Sequence, residues 1–165
     1  MPHPPPGSAG QASVETVALL PLIALVSAIN VTSLGLLVHH LVQGGDATGG
    51  ALVLSGTKLL LTNVLLFAVW FWELDRGGPV VRFADPDALP DFGFPQMDNA
   101  QLAPKGWRPG FLDYLYTSLT NANAFSPTDT MPLTHAAKVI MAVESVSSLV
   151  TIGLVLARAV TVLAS

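Results

Sequence analysis

The chain has 165 residues, of which 51% are hydrophobic and only 11% charged, with a formal net charge of −4 and a mean hydropathy of +0.57. That balance excludes a basic nucleic-acid-binding surface, and the absence of cysteine excludes disulfides, thiolate nucleophiles and Cys-ligated metal sites. The apolar residues come in long blocks, with neither a heptad nor an alternating pattern, which is how an integral membrane protein solvated by a lipid bilayer reads.

Residues 1–13, MPHPPPGSAGQAS, form a Pro/Gly/Ser tail with nothing to bury and read as disordered. They lack the positive n-region of a signal peptide. Residues 14–165 read as a single transmembrane domain. The first apolar run, 14–42, exceeds the ~20 residues a span needs, which predicts tilt or an interfacial first turn. Pro21 falls early in it, where a missing N–H costs least. Asn30 has no evident partner. His39 and His40 point about 100° apart on a helix, so they read as interfacial residues and not as a metal-binding pair. The GGDATGG stretch at 44–50 is a flexible turn, short enough to make the next helix antiparallel.

The second span is predicted over 51–72 and ends in FAVWFWELDR, an aromatic belt meeting headgroups and then water. The loop at 77–110 is rich in Pro, Gly and Asp and is longer than the usual structureless connection. Its large apolar residues, Phe83, Phe92, Phe94, Met97 and Trp107, predict a packed cap. Next comes DYLYTSLTNANAF at 113–125, too short and too rich in Thr, Ser and Asn to cross a bilayer. Asp113 is placed to cap it, and Pro127 and Pro132 stop it. The final span runs over 134–163 with Thr134 as its N-cap. The predicted fold class is all-α: a polytopic membrane protein with three transmembrane helices and one short re-entrant, pore-like helix.

Ionisable residues inside spans are functional candidates, and Lys58 and Glu144 both qualify. Two readings are open: a Lys58–Glu144 ion pair that locks two helices, or a carboxylate facing an aqueous path. Glu144, Ser148, Thr151, Val155 and Arg158 follow helical spacing, so the last span carries a polar stripe suited either to a lumen or to interhelical hydrogen bonds. Ser55, Lys58 and Thr62 make a shorter stripe on the second span. His135 beside the hinge reads as a solvated helix-start residue. There is no GxSxG elbow, no Ser-His-Asp arrangement and no cofactor-binding motif, so the chain does not read as an enzyme.

The order of parts in the last third, DYLYTSLTNANAF, then SPTDTMPLT, then a long apolar helix, resembles the pore domain of potassium channels. In that family the pore helix ends in a TVGYG-type filter whose carbonyls replace the hydration shell of the ion. Thr120 matches the filter threonine and Asp129 the acidic residue after it, while both glycines and the tyrosine are missing from NANAFSPTD at 121–129. A filter alternates backbone conformations that Gly tolerates, and Pro127 fixes φ, so potassium selectivity is not expected. The resemblance instead implies a side-chain-lined mouth formed by Asn121, Asn123, Ser126, Thr128 and Asp129 in a homo-oligomer, a tetramer by analogy, with an acidic ring favouring monovalent cations. Glu144, Ser148 and Thr151 would continue that path. The stretches FWELDRGGP, FPQM and DYLYTSLTNANAFSPTDTMPLT also look like a family of uncharacterised bacterial membrane proteins of channel-like type, which implies a bacterial inner membrane. Expected function is therefore an oligomeric cation pore; the alternative is a non-conducting structural or assembly protein with the same frame. Two rules oppose each other on orientation. The resemblance places the 77–112 loop outside, whereas the positive-inside rule opposes it through Arg76, Arg82, Lys105 and Arg108.

Overall fold

Three long helices and a short one carry the architecture. In the computed structural model, which describes residues 8–42, 49–85, 87–99, 101, 103–124 and 129–163, helix α1 spans Ser8–Val42, α2 Gly49–Leu74, α5 Phe111–Ala124 and α6 His135–Leu163. Two short helices, α3 (Pro79–Ala84) and α4 (Pro95–Asp98), lie in the segment between α2 and α5. Leu, Val and Ala dominate the long helices, and Pro21 is the one proline inside them.

Helix α1 begins at Ser8, inside the stretch expected to be a disordered tail, so Pro21 falls in the helix interior and not in its first turn. Residues 1–7 lie outside the described residues. Two stretches are long and apolar enough to cross a membrane, Val53–Gly77 and His135–Ala157; among the described residues α1 contributes a shorter apolar segment, Pro21–Leu36.

Helices α2 and α6 pack antiparallel in a definite register. A Cβ placed on Gly56 would lie 2.1 Å from Val155 Cγ2, and Asn63 meets Ser147 and Ser148. Helix α5 wedges against both near their loop-side ends. Its expected start at Asp113 is two residues late: Asp113 sits in the first turn, where its Oδ2 accepts a hydrogen bond from the Gly110 N–H at 2.7 Å. Thr134 is the N-cap of α6 as expected, accepting from the Ala137 N–H at 3.3 Å.

The segment after α2 is a folded cap. Gly77 and Gly78, at φ +74° and +98°, take the left-handed region that lets the chain reverse out of α2. Strand β1 (Phe92–Gly93) then pairs antiparallel with β2 (Met131–Pro132), with Phe92 opposite Pro132 and Gly93 opposite Met131. This small ladder, not foreseen in the all-α reading, ties the cap to the chain just before α6. Phe67, Phe71, Phe92, Phe94, Tyr114, Ala137 and Met141 form one core cluster at that end. Met97 and Trp107 pack on it, while Phe83 is exposed.

The helices bury polar side chains beside their apolar core and turn large apolar ones outward. Asn63, Thr117, Ser118, Asn121, Glu144, Ser148 and Thr151 are buried, while Leu54, Leu61 and Leu65 of α2 and Val139, Val143, Val146 and Leu149 of α6 face outward. Contiguous exposed apolar surface of this extent needs lipid or a partner to cover it.

Candidate functional site: a carboxyl buried between three helices

Glu144 is fully buried on α6, facing α5. Asn121 Nδ2 donates to its Oε2 at 2.7 Å and to the Met141 carbonyl at 2.9 Å. Ser118 Oγ lies in hydrogen-bond contact with Glu144 Oε1 and also with the Val64 carbonyl at 2.8 Å. A hydroxyl has one hydrogen, and a peptide carbonyl has none to give. Two arrangements satisfy both contacts: Ser118 shares its hydrogen between the Val64 carbonyl and Glu144, or Ser118 donates to Val64 and a protonated Glu144 carboxyl donates to Ser118.

Further bonds extend the network. Ser145 Oγ donates to Asn121 Oδ1 at 3.1 Å. From α2, Asn63 Nδ2 donates to Ser147 Oγ and Ser148 Oγ, each at 3.0 Å. Thr151, one turn further, returns its hydroxyl to its own helix at the Ser147 carbonyl, 2.8 Å away. Asn63, Ser118 and Ser145 were not singled out in the sequence. The signal for Asn63 was available, since an amide in the apolar run TNVLLF needs a partner on another helix.

The candidate pore residues separate into groups. Asn121, Glu144, Ser148 and Thr151 are buried inside the chain. Thr120, half-buried, bonds to the Tyr116 and Thr117 carbonyls of its own helix at 2.9 and 3.0 Å, and exposed Asn123 bonds to the Leu119 carbonyl at 2.7 Å. Asp129 is exposed. Ser126 and Thr128 lie outside the described residues.

Lys58 and Glu144 do not pair. Lys58 is exposed, and the α2–α6 register puts Glu144 level with Phe67. That is roughly 13 Å along the axis from Lys58 at 1.5 Å per residue, beyond the reach of a lysine stem held on the outer face. No salt bridge to Glu144 exists among the described residues.

A second polar cluster holds the cap onto the helices. Asp75, fully buried, accepts from the Asp91 N–H at 2.8 Å and the Phe92 N–H at 3.3 Å through Oδ1, and from Tyr114 Oη at 2.5 Å through Oδ2. Arg82 Nη1 lies 3.7 Å from Asp75 Oδ2 and donates to the Trp72 and Asp75 carbonyls at 3.1 and 2.9 Å. Its guanidinium covers the Trp72 ring, 4.5 Å from the centroid. Burial, reinforced by the hydrogen bond to Asp75 and its charge, pushes the Tyr114 phenol above its ordinary value, so it stays a donor. Asp91 continues the chain of contacts, accepting from the Arg76 N–H at 2.9 Å and from Thr134 Oγ1 at 2.6 Å.

Among the described residues no group of three or more His, Asp or Glu side chains is placed to hold a metal ion. The outward surface of α6 below Lys138 is apolar, carrying Val139, Val143, Val146, Leu149, Val150 and Leu156. Comparison with protein-family models, with curated proteins and with solved structures found no match to this chain.

Proposed function

We propose that this chain is a bilayer-embedded, channel-shaped protein that does not conduct, and that it serves as a structural or assembly subunit. The bilayer part of the reading is supported by the two apolar stretches Val53–Gly77 and His135–Ala157 and by the large apolar side chains that α2 and α6 turn outward. The carrying observation for the sealed reading is that Glu144, Ser148 and Thr151 are at most 5% exposed within the chain. A residue that lines the axis of an oligomer stays exposed in the isolated subunit. These three instead spend their hydrogen bonds on α5, α2 and α6 itself.

A cation-conducting oligomer, tetrameric by analogy with potassium channels, is the competing reading. Exposed Asn123 in the last turn of α5 and exposed Asp129 beside Thr130 favour it, because a symmetric copy could gather such groups into a polar mouth. Flux of Na⁺ and K⁺ from proteoliposomes containing the purified chain tests both. The sealed reading expects flux at the level of empty vesicles. Cation flux above that level, lost in Asp129→Asn, would sink it in favour of the pore.

A further inference from the structure

Arg82 is the one charged residue of α3, and it is buried against α2, while Phe83 beside it is 82% exposed. At about 100° per residue Arg82 takes the inner side of this short helix and leaves Val80, Val81 and Phe83 on the outer arc, all of them exposed. Two large apolar side chains stand out in the same way from neighbouring elements: Leu112 in the first turn of α5, 74% exposed, and Met131 of β2, 69% exposed.

These side chains are tied to one level, the last turn of α2. Arg82 Nη1 donates to the Trp72 and Asp75 carbonyls. Phe111, next to Leu112, meets the Trp72 ring edge-on with centroids 6.0 Å apart, and Tyr114 in the following turn donates to Asp75. Met131 pairs with Gly93, one residue beyond the Phe92 N–H that Asp75 Oδ1 accepts at 3.3 Å. Exposed Leu89 is two residues from Asp91, whose N–H reaches the same oxygen at 2.8 Å. Residues 98–108 differ: among those described, the exposed side chains include Asp98, Asn99, Gln101, Lys105 and Arg108, and no large apolar one. The cap's apolar exposure is therefore a collar at the end of α2 and not a scatter.

We propose that this collar is a membrane-interface anchor, with Phe83, Leu112 and Met131 inserted at the headgroup–acyl boundary of the leaflet on the cap side. The inference rests on the bilayer reading, which also sets the depth. The apolar stretch Val53–Gly77 has 25 residues, about 37 Å at 1.5 Å per residue. Centred on a hydrocarbon core about 30 Å thick, it meets the edge of that core near Asp75, the level of the collar. The occupant is phospholipid and not a second copy of the chain, because exposed Asp85 and Asp87 follow Phe83 in the same segment. A wet headgroup zone accepts charged groups beside inserted apolar ones, whereas the dry centre of a protein interface is depleted of carboxylates. Anchored there, the cap sets the depth at which α5 starts.

The chain has no cysteine, so each single-cysteine variant carries one label. Phe83→Cys, Leu112→Cys and Met131→Cys, with Lys105→Cys for comparison, are labelled with a nitrobenzoxadiazole dye. The full chain is placed in phosphatidylcholine nanodiscs that contain lipid with a nitroxide at acyl carbon 5 or at carbon 12. Collar labels should be quenched more by carbon 5, at a depth of about 5–10 Å into the headgroup–acyl boundary, and the Lys105 label by neither. Collar labels quenched no more than the Lys105 label overturn the proposal: quenching by aqueous iodide then assigns the collar to water, and shielding from iodide assigns it to a second copy of the chain. Stronger quenching from carbon 12 overturns it too, since the collar would lie inside the hydrocarbon. A helical circular dichroism spectrum is recorded for each variant, and a collar site whose substitution disturbs it leaves the decision to the other two. Flotation with liposomes reports on the bilayer reading separately: a chain that fails to float sinks that reading, while a floating chain with unquenched collar labels sinks the anchor alone.

Discussion

Tyr114 and Asp75 are joined by a 2.5 Å hydrogen bond across 39 positions of sequence, the phenol donating to a carboxylate that is fully buried at the end of α2. This bond fastens α5 to the cap and fixes the depth at which α5 enters between α2 and α6. It closes a circuit in which Asp75 holds the backbone of Asp91 and Phe92, while Asp91 holds Thr134 at the start of α6. Three elements distant in sequence thus meet on two carboxylates.

Tyr114→Phe removes the donor and leaves the ring in its aromatic surroundings of Trp72, Phe92 and Phe94. A hydrogen bond to a charged group contributes about 1.5–3 kcal/mol, so the variant should lose that much stability while keeping its helical content. Equilibrium unfolding in mild detergent titrated with SDS measures it. Wild-type stability in Tyr114→Phe would show that Asp75 does not depend on this bond.

Asp75→Ala removes the carboxylate facing Arg82 and leaves a guanidinium at 5% exposure held by the Trp72 and Asp75 carbonyls and the Trp72 ring. Breaking a buried pair in this way costs about 3–5 kcal/mol. The cap should loosen first, because Asp91 and Phe92 lose their acceptor too. Limited trypsin digestion should then cut at Arg82, a bond the wild-type protein protects. Asp75→Asn, which keeps one acceptor oxygen, should be intermediate.

Glu144→Gln should change stability by less than about 0.5 kcal/mol, whereas Glu144→Ala should cost about 1–3 kcal/mol. A carboxamide reproduces the hydrogen bonding of a carboxylic acid, with an N–H for Ser118 and an oxygen for Asn121. A large loss in Glu144→Gln would mean that both oxygens accept and that Ser118 shares its hydrogen between Val64 and Glu144. Unfolding curves of the two variants under one condition make the comparison.

Gly56→Ala places a methyl group 2.1 Å from Val155 Cγ2, inside any tolerable contact. Valine has little freedom to move aside, so α2 and α6 must separate, at a cost of about 1–3 kcal/mol. Val155→Ala opens the space, and the double variant should recover most of the loss. If the two effects simply add, the close approach is not what limits the site.

Much of the helical layout was legible in the chain. The apolar runs and the stops around them predicted α2, α5 and α6 to within two residues at each end, and Thr134 as a cap followed from its place before a periodic run. The density of large apolar groups in 77–110 predicted a packed cap, now seen as Phe92, Phe94, Met97 and Trp107 on one core. The start of α1 was not legible, because Pro, Gly and Ser composition argues against helix and says nothing of a neighbouring helix extending into it.

Sequence periodicity by itself determined that Glu144, Ser148 and Thr151 share one face of α6, because the α-helix repeats every 3.6 residues whatever surrounds it. What that face meets was decided only by tertiary structure. Packing of α5 turned the stripe inward onto Ser118 and Asn121, and the α2–α6 register put Lys58 on the outside, far from Glu144 along the axis. The Asp75–Arg82–Tyr114 cluster had no local signature, since its members are brought together by the reversal at Gly77 and Gly78 and by the pairing of β1 with β2. Local chemistry sets which groups travel together along a helix; the order in which helices meet sets whether those groups line a path or close it.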